Sequence, residues 1–84
     1  MNKNDIFAII AKHAQEVVPS LESHVFAQDD ALRDLGANSI DRAEITMMTL
    51  ETLALRIPLT ELAGAQNMGE LAALIHSRMA ASVV

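Results

Sequence analysis

Eighty-four residues with a formal charge of −5 and no cysteine make one small domain, whose core must draw on nearly every apolar side chain without disulfides or thiolate metal ligands. Lys3, Lys12, Arg33, Arg42, Arg56 and Arg78 are the only lysines and arginines and Phe7 and Phe26 the only aromatics, which leaves neither a phosphate-neutralising surface nor a base-stacking platform and excludes nucleic acid. The apolar run over residues 7–11 is cut short by Lys12 and His13, too early for a signal peptide or a membrane span, so a cytoplasmic monomer away from membranes is expected.

Ala, Leu, Ile and Met supply most of the apolar half of the chain, and these helix formers predict an all-α fold. Asn4 can cap a first helix with Ile6, Ile10, Ala14 and Val17 on one face, widened by Phe7 and Val18, and Pro19 ends it. Residues 19–38 form a connection longer than bundles usually carry, to be pinned by Phe26, Leu32 and Leu35, with a helical turn over 30–35. Gly36 supplies the backbone freedom for a reversal before the next helix.

The second helix is expected over residues 39–54, with Asn38 as N-cap and Asp41 completing a weak capping box. Ile40, Ala43, Met47, Leu50 and Ala54, joined by Leu53, form its expected inner stripe, whereas Ile45 and Met48 fall outside it. Ile57-Pro58 stops this helix, because proline drives the residue before it out of the α region. A short helix over residues 60–63 precedes Gly64. Asn67, with Glu70 three residues later, signals the last helix, whose face is Leu71, Leu74, Ile75 and Met79 and whose end, residues 80–84, is expected to fray.

Among residues with chemistry, His13, His24 and His76 lack ligand spacing and are expected at the surface, not on a metal. Asp29, Asp30 and Asp34 lack the glycine and terminal Glu of a calcium loop and read as loop solvation and capping. Met47 reads as core filler and Met48 as exposed helix surface. Ser39 stands at a helix mouth after a glycine turn, with no base in its vicinity, and is better suited to modification by another enzyme than to nucleophilic catalysis. A phosphodiester there would be stabilised at the positive end of the helix dipole by about 0.3–1 kcal/mol. From spacing alone, a plain N-cap role for Ser39 is an equal reading.

The string Leu35-Gly36-Ala37-Asn38-Ser39-Ile40 resembles the phosphopantetheine attachment site of acyl carrier proteins. That family carries Leu-Gly-x-Asp-Ser-Leu with an acidic residue five places after the serine, where Glu44 stands here, and Ile57-Pro58 falls at the family's usual distance. Asn38 for Asp, Ile40 for Leu, and Arg42 on a helix usually rich in acids depart from the pattern. The resemblance implies an acyl-carrier-protein-like four-helix bundle, three longer helices plus one short one, over residues 1–84. It also implies a 4'-phosphopantetheine arm from coenzyme A on Ser39.

The longer string from Gly36 to Ile45, continued by Met47-Met48-Thr49-Leu50-Glu51 and Ile57-Pro58-Leu59, is similar to the free-standing donor carriers of polyketide β-branching cassettes. It implies a non-catalytic carrier of an acetyl thioester in polyketide antibiotic biosynthesis. The implied partners are a phosphopantetheinyl transferase, an acyltransferase, a decarboxylating ketosynthase-like enzyme and an HMG-CoA-synthase-like enzyme. The implied partner-facing residues are Asn38, Ile40, Asp41, Arg42, Glu44, Met48 and Glu51, with Thr46 and Thr49 helping Arg42 and Met48 discriminate among partners. A general polyketide or fatty-acid extension carrier is the alternative within the class. An unmodified helical interaction domain is the alternative outside it.

Overall fold

The computed structural model describes residues 1–82, with side chains through Met79. Four helices follow one another: α1 (Lys3–Val17), α2 (Ser39–Thr52), α3 (Leu59–Leu62) and α4 (Met68–Ser82), with a 3-10 turn at Pro19–Leu21 and no strand among the described residues. α1 packs against both α2 and α4, and the short α3 bridges α2 to α4, the all-α order expected from the sequence. The backbone of α4 is helical through Ser82, past residue 80 where fraying is expected; residues 83 and 84 lie outside the described residues.

α1 starts earlier than expected because Asn2, not Asn4, caps it. Asn2 Oδ1 accepts from Asp5 N at 2.9 Å and Asp5 Oδ2 accepts from Asn2 N at 3.1 Å, a reciprocal box that Asn4, with Phe7 three residues on, could not complete. Ile6, Ile10 and Ala14 are fully buried, as their spacing predicts. Together with Leu21, Leu32, Ala37, Ile45, Leu50, Leu62, Met68, Leu71, Ala72 and Ile75 they form one core, where each large side chain removed from water contributes roughly 1.5–3 kcal/mol.

The inner face of α2 is rotated from the expected one. Leu50 is inside as expected, but its buried companions are Ile45, Thr46 and Thr49, whereas Ile40 is 75% and Met47 50% exposed and Ala54 lies at the surface. Two threonines make the difference. Thr46 Oγ1 donates to the Arg42 carbonyl at 2.9 Å and Thr49 Oγ1 to the Ile45 carbonyl at 2.8 Å. With the hydroxyl satisfied by its own helix, each threonine enters the core at little polar cost. The sequence offers two apolar stripes on this helix, and the one containing threonines is buried. Met47 is therefore not core filler, and Met48, half-buried, is not the exposed member of the pair.

α2 also ends before Ile57-Pro58 takes effect. Leu55 N donates to the Leu50 carbonyl at 2.9 Å and Ala54 N to the Glu51 carbonyl at 3.1 Å, the paired bonds of a Schellman stop, with Ala54 left-handed at φ 55°. The same motif closes the turn before α2: Ala37 N donates to the Leu32 carbonyl at 3.1 Å and Gly36 N to the Arg33 carbonyl at 3.2 Å. Gly36 there has φ 100°, the reversal its position predicts. Leu32 and Ala37, buried at the two ends of this turn, anchor the segment that leads into α2.

The long connection is held by polar contacts as much as by apolar ones. Met68 N donates to the Asp30 carbonyl and Gly69 N to the Gln28 carbonyl, both at 2.8 Å, so loop carbonyls satisfy the first N–H groups of α4. Asp30 Oδ2 accepts from Ala27 N at 2.8 Å and meets His24 Nε2 at 3.0 Å. The Ala27 N–H, then His24, hold the Asp30 carboxyl below the usual carboxylate range. His24 stands edge-on to Phe26 with ring centroids 4.8 Å apart. None of the three histidines is fully exposed: His24 and His76 are half-buried, and His13 lies between Glu16 Oε1 at 3.0 Å and Thr52 Oγ1 at 2.7 Å, tying α1 to the end of α2.

Candidate functional site

Asn38 Oδ1 accepts from Asp41 N at 2.8 Å and Asp41 Oδ2 accepts from Asn38 N at 3.3 Å. The capping box of α2 is thus complete without Ser39. The serine is exposed at the first helical position, and its Oγ makes no hydrogen bond among the described residues. This separates the two readings open at the level of sequence: Asn38 does the capping, and the Ser39 hydroxyl has no structural task. Asn38, where such motifs usually carry an acid, still caps the helix, because its Oδ1 accepts from Asp41 N while Asp41 closes the box from the other side.

Around Ser39 the Schellman turn fixes the incoming chain and the helix fixes the outgoing one, so the hydroxyl is held on rigid backbone. The N–H groups of Ser39 and Ile40, first in the helix, have no carbonyl behind them, and they lie where an anion bonded to Ser39 would sit. No hydrogen-bonded base activates the hydroxyl, and no group of three His, Cys, Asp or Glu side chains among the described residues could hold a metal ion. No described helix is long and apolar enough to cross a membrane. An exposed, unengaged, rigidly held serine suits covalent attachment of a phosphodiester-linked arm by a second enzyme.

Ile40, Glu44, Met47 and Glu51 lie at i, i+4, i+7 and i+11 and all are exposed, so one stripe running away from Ser39 mixes two apolar side chains with two carboxylates. Ile40, Glu44 and Glu51 are expected partner-facing residues. Met47 is the member that the sequence reading misses; its register with Glu44 and Glu51 is the signal that places it there. Asp41 and Met48 are half-buried at the edge of this surface.

Arg42 is not on a solvated face. It is half-buried, and its Nη1 donates to the Ala37 carbonyl at 3.0 Å, so reversing its charge would disturb the turn that leads to Ser39. Thr46 and Thr49 are buried, Thr49 completely, and cannot discriminate among partners by contact.

The chain matches the family model described as the phosphopantetheine attachment site over residues 9–75, which include Ser39. It is 46% identical over 79 residues to the polyketide biosynthesis acyl-carrier-protein AcpK of Bacillus subtilis (strain 168), covering 94% of this chain and 96% of that one. It is also similar to a chain in the crystal structure of the curacin biosynthetic pathway HMG synthase in complex with acetyl donor-ACP. That match has a TM-score of 0.88 and 47% identity, over 92% of this chain and 99% of the other.

Proposed function

Because the chain belongs to the phosphopantetheine attachment-site family, the acyl carrier proteins, we propose that Ser39 bears its 4'-phosphopantetheine arm and that the loaded protein donates acetyl to an HMG-CoA-synthase-like enzyme during polyketide β-branching. The observation that carries this reading is the end-to-end likeness, at 47% identity, to a chain of a complex between an HMG synthase and an acetyl donor carrier. When bound, the arm supplies a terminal thiol on which acyl groups travel as thioesters. The chain's own part is to fix the attachment point and to be recognised.

Each element of the site has a place in that task. Asn38 and Asp41 hold the start of α2, Gly36 and Ala37 bring the chain to it, and Ser39 Oγ stands clear for the transferase. Glu44 and Glu51 offer charge to basic side chains of a partner, and Ile40 and Met47, alternating with them along the stripe, offer apolar contact. A two-carboxylate, two-apolar stripe favours short-lived encounters, as a shuttle that must leave requires. On this reading residues 1–84 are one carrier domain that catalyses nothing. An acyltransferase and a decarboxylating ketosynthase-like enzyme would load and trim its cargo in the cytoplasm.

Incubation with coenzyme A and a broad-specificity phosphopantetheinyl transferase, followed by intact mass, tests the attachment. Wild type should gain one arm, and Ser39→Ala none. An adduct on Ser39→Ala would show the wrong residue. Acetylated holo protein mixed with an HMG-CoA-synthase-like partner and its acceptor carrier tests the donor role. Failure of acetyl transfer by a correctly loaded carrier would leave a general extension carrier.

A further inference from the structure

Between α2, α3 and the first turn of α4 lies a cavity of about 410 Å³. Leu59, Leu62, Met68 and Leu71 make its apolar wall, and Arg33 and Arg42 the charged part of its lining; no Asp or Glu lines it. In a chain with 11 acidic residues against 6 lysines and arginines, a cavity with two arginines and no acidic residue in its lining has a charge opposite to the protein as a whole.

The state of these arginines sharpens the point. Arg42 is half-buried yet stands in no ion pair among the described residues; its one recorded bond is to the neutral Ala37 carbonyl. Four of its five N–H donors are left for another acceptor, and a half-buried cation without a counter-ion is favoured by an anion beside it. Arg33, 72% exposed, reaches only its sequence neighbour Asp34 at 3.8 Å, a contact weak enough to yield to a better one. Ala37, which Arg42 holds, lies two residues before Ser39, so the cationic side of the cavity is tied to the turn that carries the attachment point.

We propose that this cavity receives the far end of the arm when it bears an acyl group with a free carboxylate, a short dicarboxylic half-thioester, with Arg42 as the principal donor and Arg33 as the second. This rests on the carrier reading above. The aliphatic wall covers the thioester and methylene portion while the two guanidinium groups bind the carboxylate. An acetyl group offers no anion to the arginines and leaves the cavity free. When the C–C bond to the carboxylate breaks, carbon dioxide leaves, a proton from the decarboxylating partner or solvent takes its place on the methylene carbon, and the cargo switches from held to presented.

The test uses three forms of the full chain, isotopically labelled in arginine: holo, acetyl-holo and malonyl-holo, each first shown by mass to carry one arm on Ser39. The arginine side-chain N–H resonances of Arg42 and Arg33 should move in malonyl-holo and stay together in the other two. Cleavage of the malonyl thioester by hydroxylamine, normalised to the same acyl group on free pantetheine, should be slowed by about two- to fivefold, with acetyl unprotected.

Arg42→Gln should abolish the protection. Because that change also removes the bond to Ala37, Arg33→Gln, on an exposed side chain, provides the second variant and should lower the protection while leaving the melting temperature unchanged. Equal resonance shifts in holo and malonyl-holo would identify the arm's phosphate as the anion and overturn the proposal, as would unshifted resonances in all forms or undiminished protection in both variants. If Ser39 accepts no arm, the carrier reading falls and this proposal with it. If it does and the malonyl form behaves as acetyl, only the carboxylate site falls.

Discussion

Ile45 and Met47 sit two residues apart on α2, one fully buried and the other half exposed, and truncating each to alanine separates the core face from the proposed partner face. Ile45→Ala removes three buried carbons at about 0.8 kcal/mol each and leaves a partly collapsed cavity, about 3–4 kcal/mol together. For a chain of 84 residues total stability is about 4–13 kcal/mol, so this is a large share of it. At about 4–8 °C per kcal/mol the melting temperature should fall by about 12–32 °C. Met47→Ala gives up less buried area and gains helix propensity, and should melt within about 5 °C of wild type. Far-UV circular dichroism melts of the apo proteins measure both. A Met47→Ala melt as low as that of Ile45→Ala, or an Ile45→Ala melt close to wild type, would put the wrong face of α2 in the core. The pair should reverse in partner assays, where Met47→Ala slows acetyl transfer and a conservative Ile45→Val does not.

Other consequences concern the loops that hold the site. A Cβ on Gly69 would lie 2.6 Å from Gln28 Oε1 and 2.9 Å from the Gln28 carbonyl, the same carbonyl that Gly69 N bonds; Gly69→Ala should therefore cost about 1–3 kcal/mol in a denaturant titration, and an unchanged midpoint would show that the loop gives way freely. Ala54, left-handed and exposed at the end of α2, should be replaced by glycine with a gain of up to about 1 kcal/mol, visible as a higher melting temperature; a lower one would count against the Schellman stop. Asp30 has its carboxyl pKa lowered in the fold by the Ala27 N–H and His24, so its contribution is present above the ordinary carboxylate range and fades as pH falls through the lowered folded value. Asp30→Asn should accordingly be less stable than wild type at neutral pH, with the gap closing on acidification; a gap that widens toward low pH would contradict the assignment.

Local chemistry is legible without a fold. Asn38 and Asp41 at the right spacing dictate a helix start, Gly36 before them dictates a reversal, and a serine just after the cap is thereby delivered to the helix mouth; Asn67 and Glu70 do the same for α4, and the Ile6, Ile10, Ala14 period fixes the inner face of α1. What the amino-acid string leaves open is which of two apolar stripes on α2 is inside. Leu50 belongs to either stripe, Ile40 and Met47 compete on hydropathy with Ile45, and the outcome turns on Thr46 and Thr49, whose hydroxyls count as polar in the string but are satisfied by their own helix once it forms. Tertiary packing then buries the threonine stripe and leaves Ile40 and Met47 outside, beside Glu44 and Glu51. Arg42 is decided in the same way: its charge predicts solvent, but the turn of chain brought back by Gly36 places the Ala37 carbonyl within its reach, and the cavity it lines exists only because α3 packs against both α2 and α4. Contacts between residues distant in sequence set these outcomes, and a periodicity read along one helix carries no term for them.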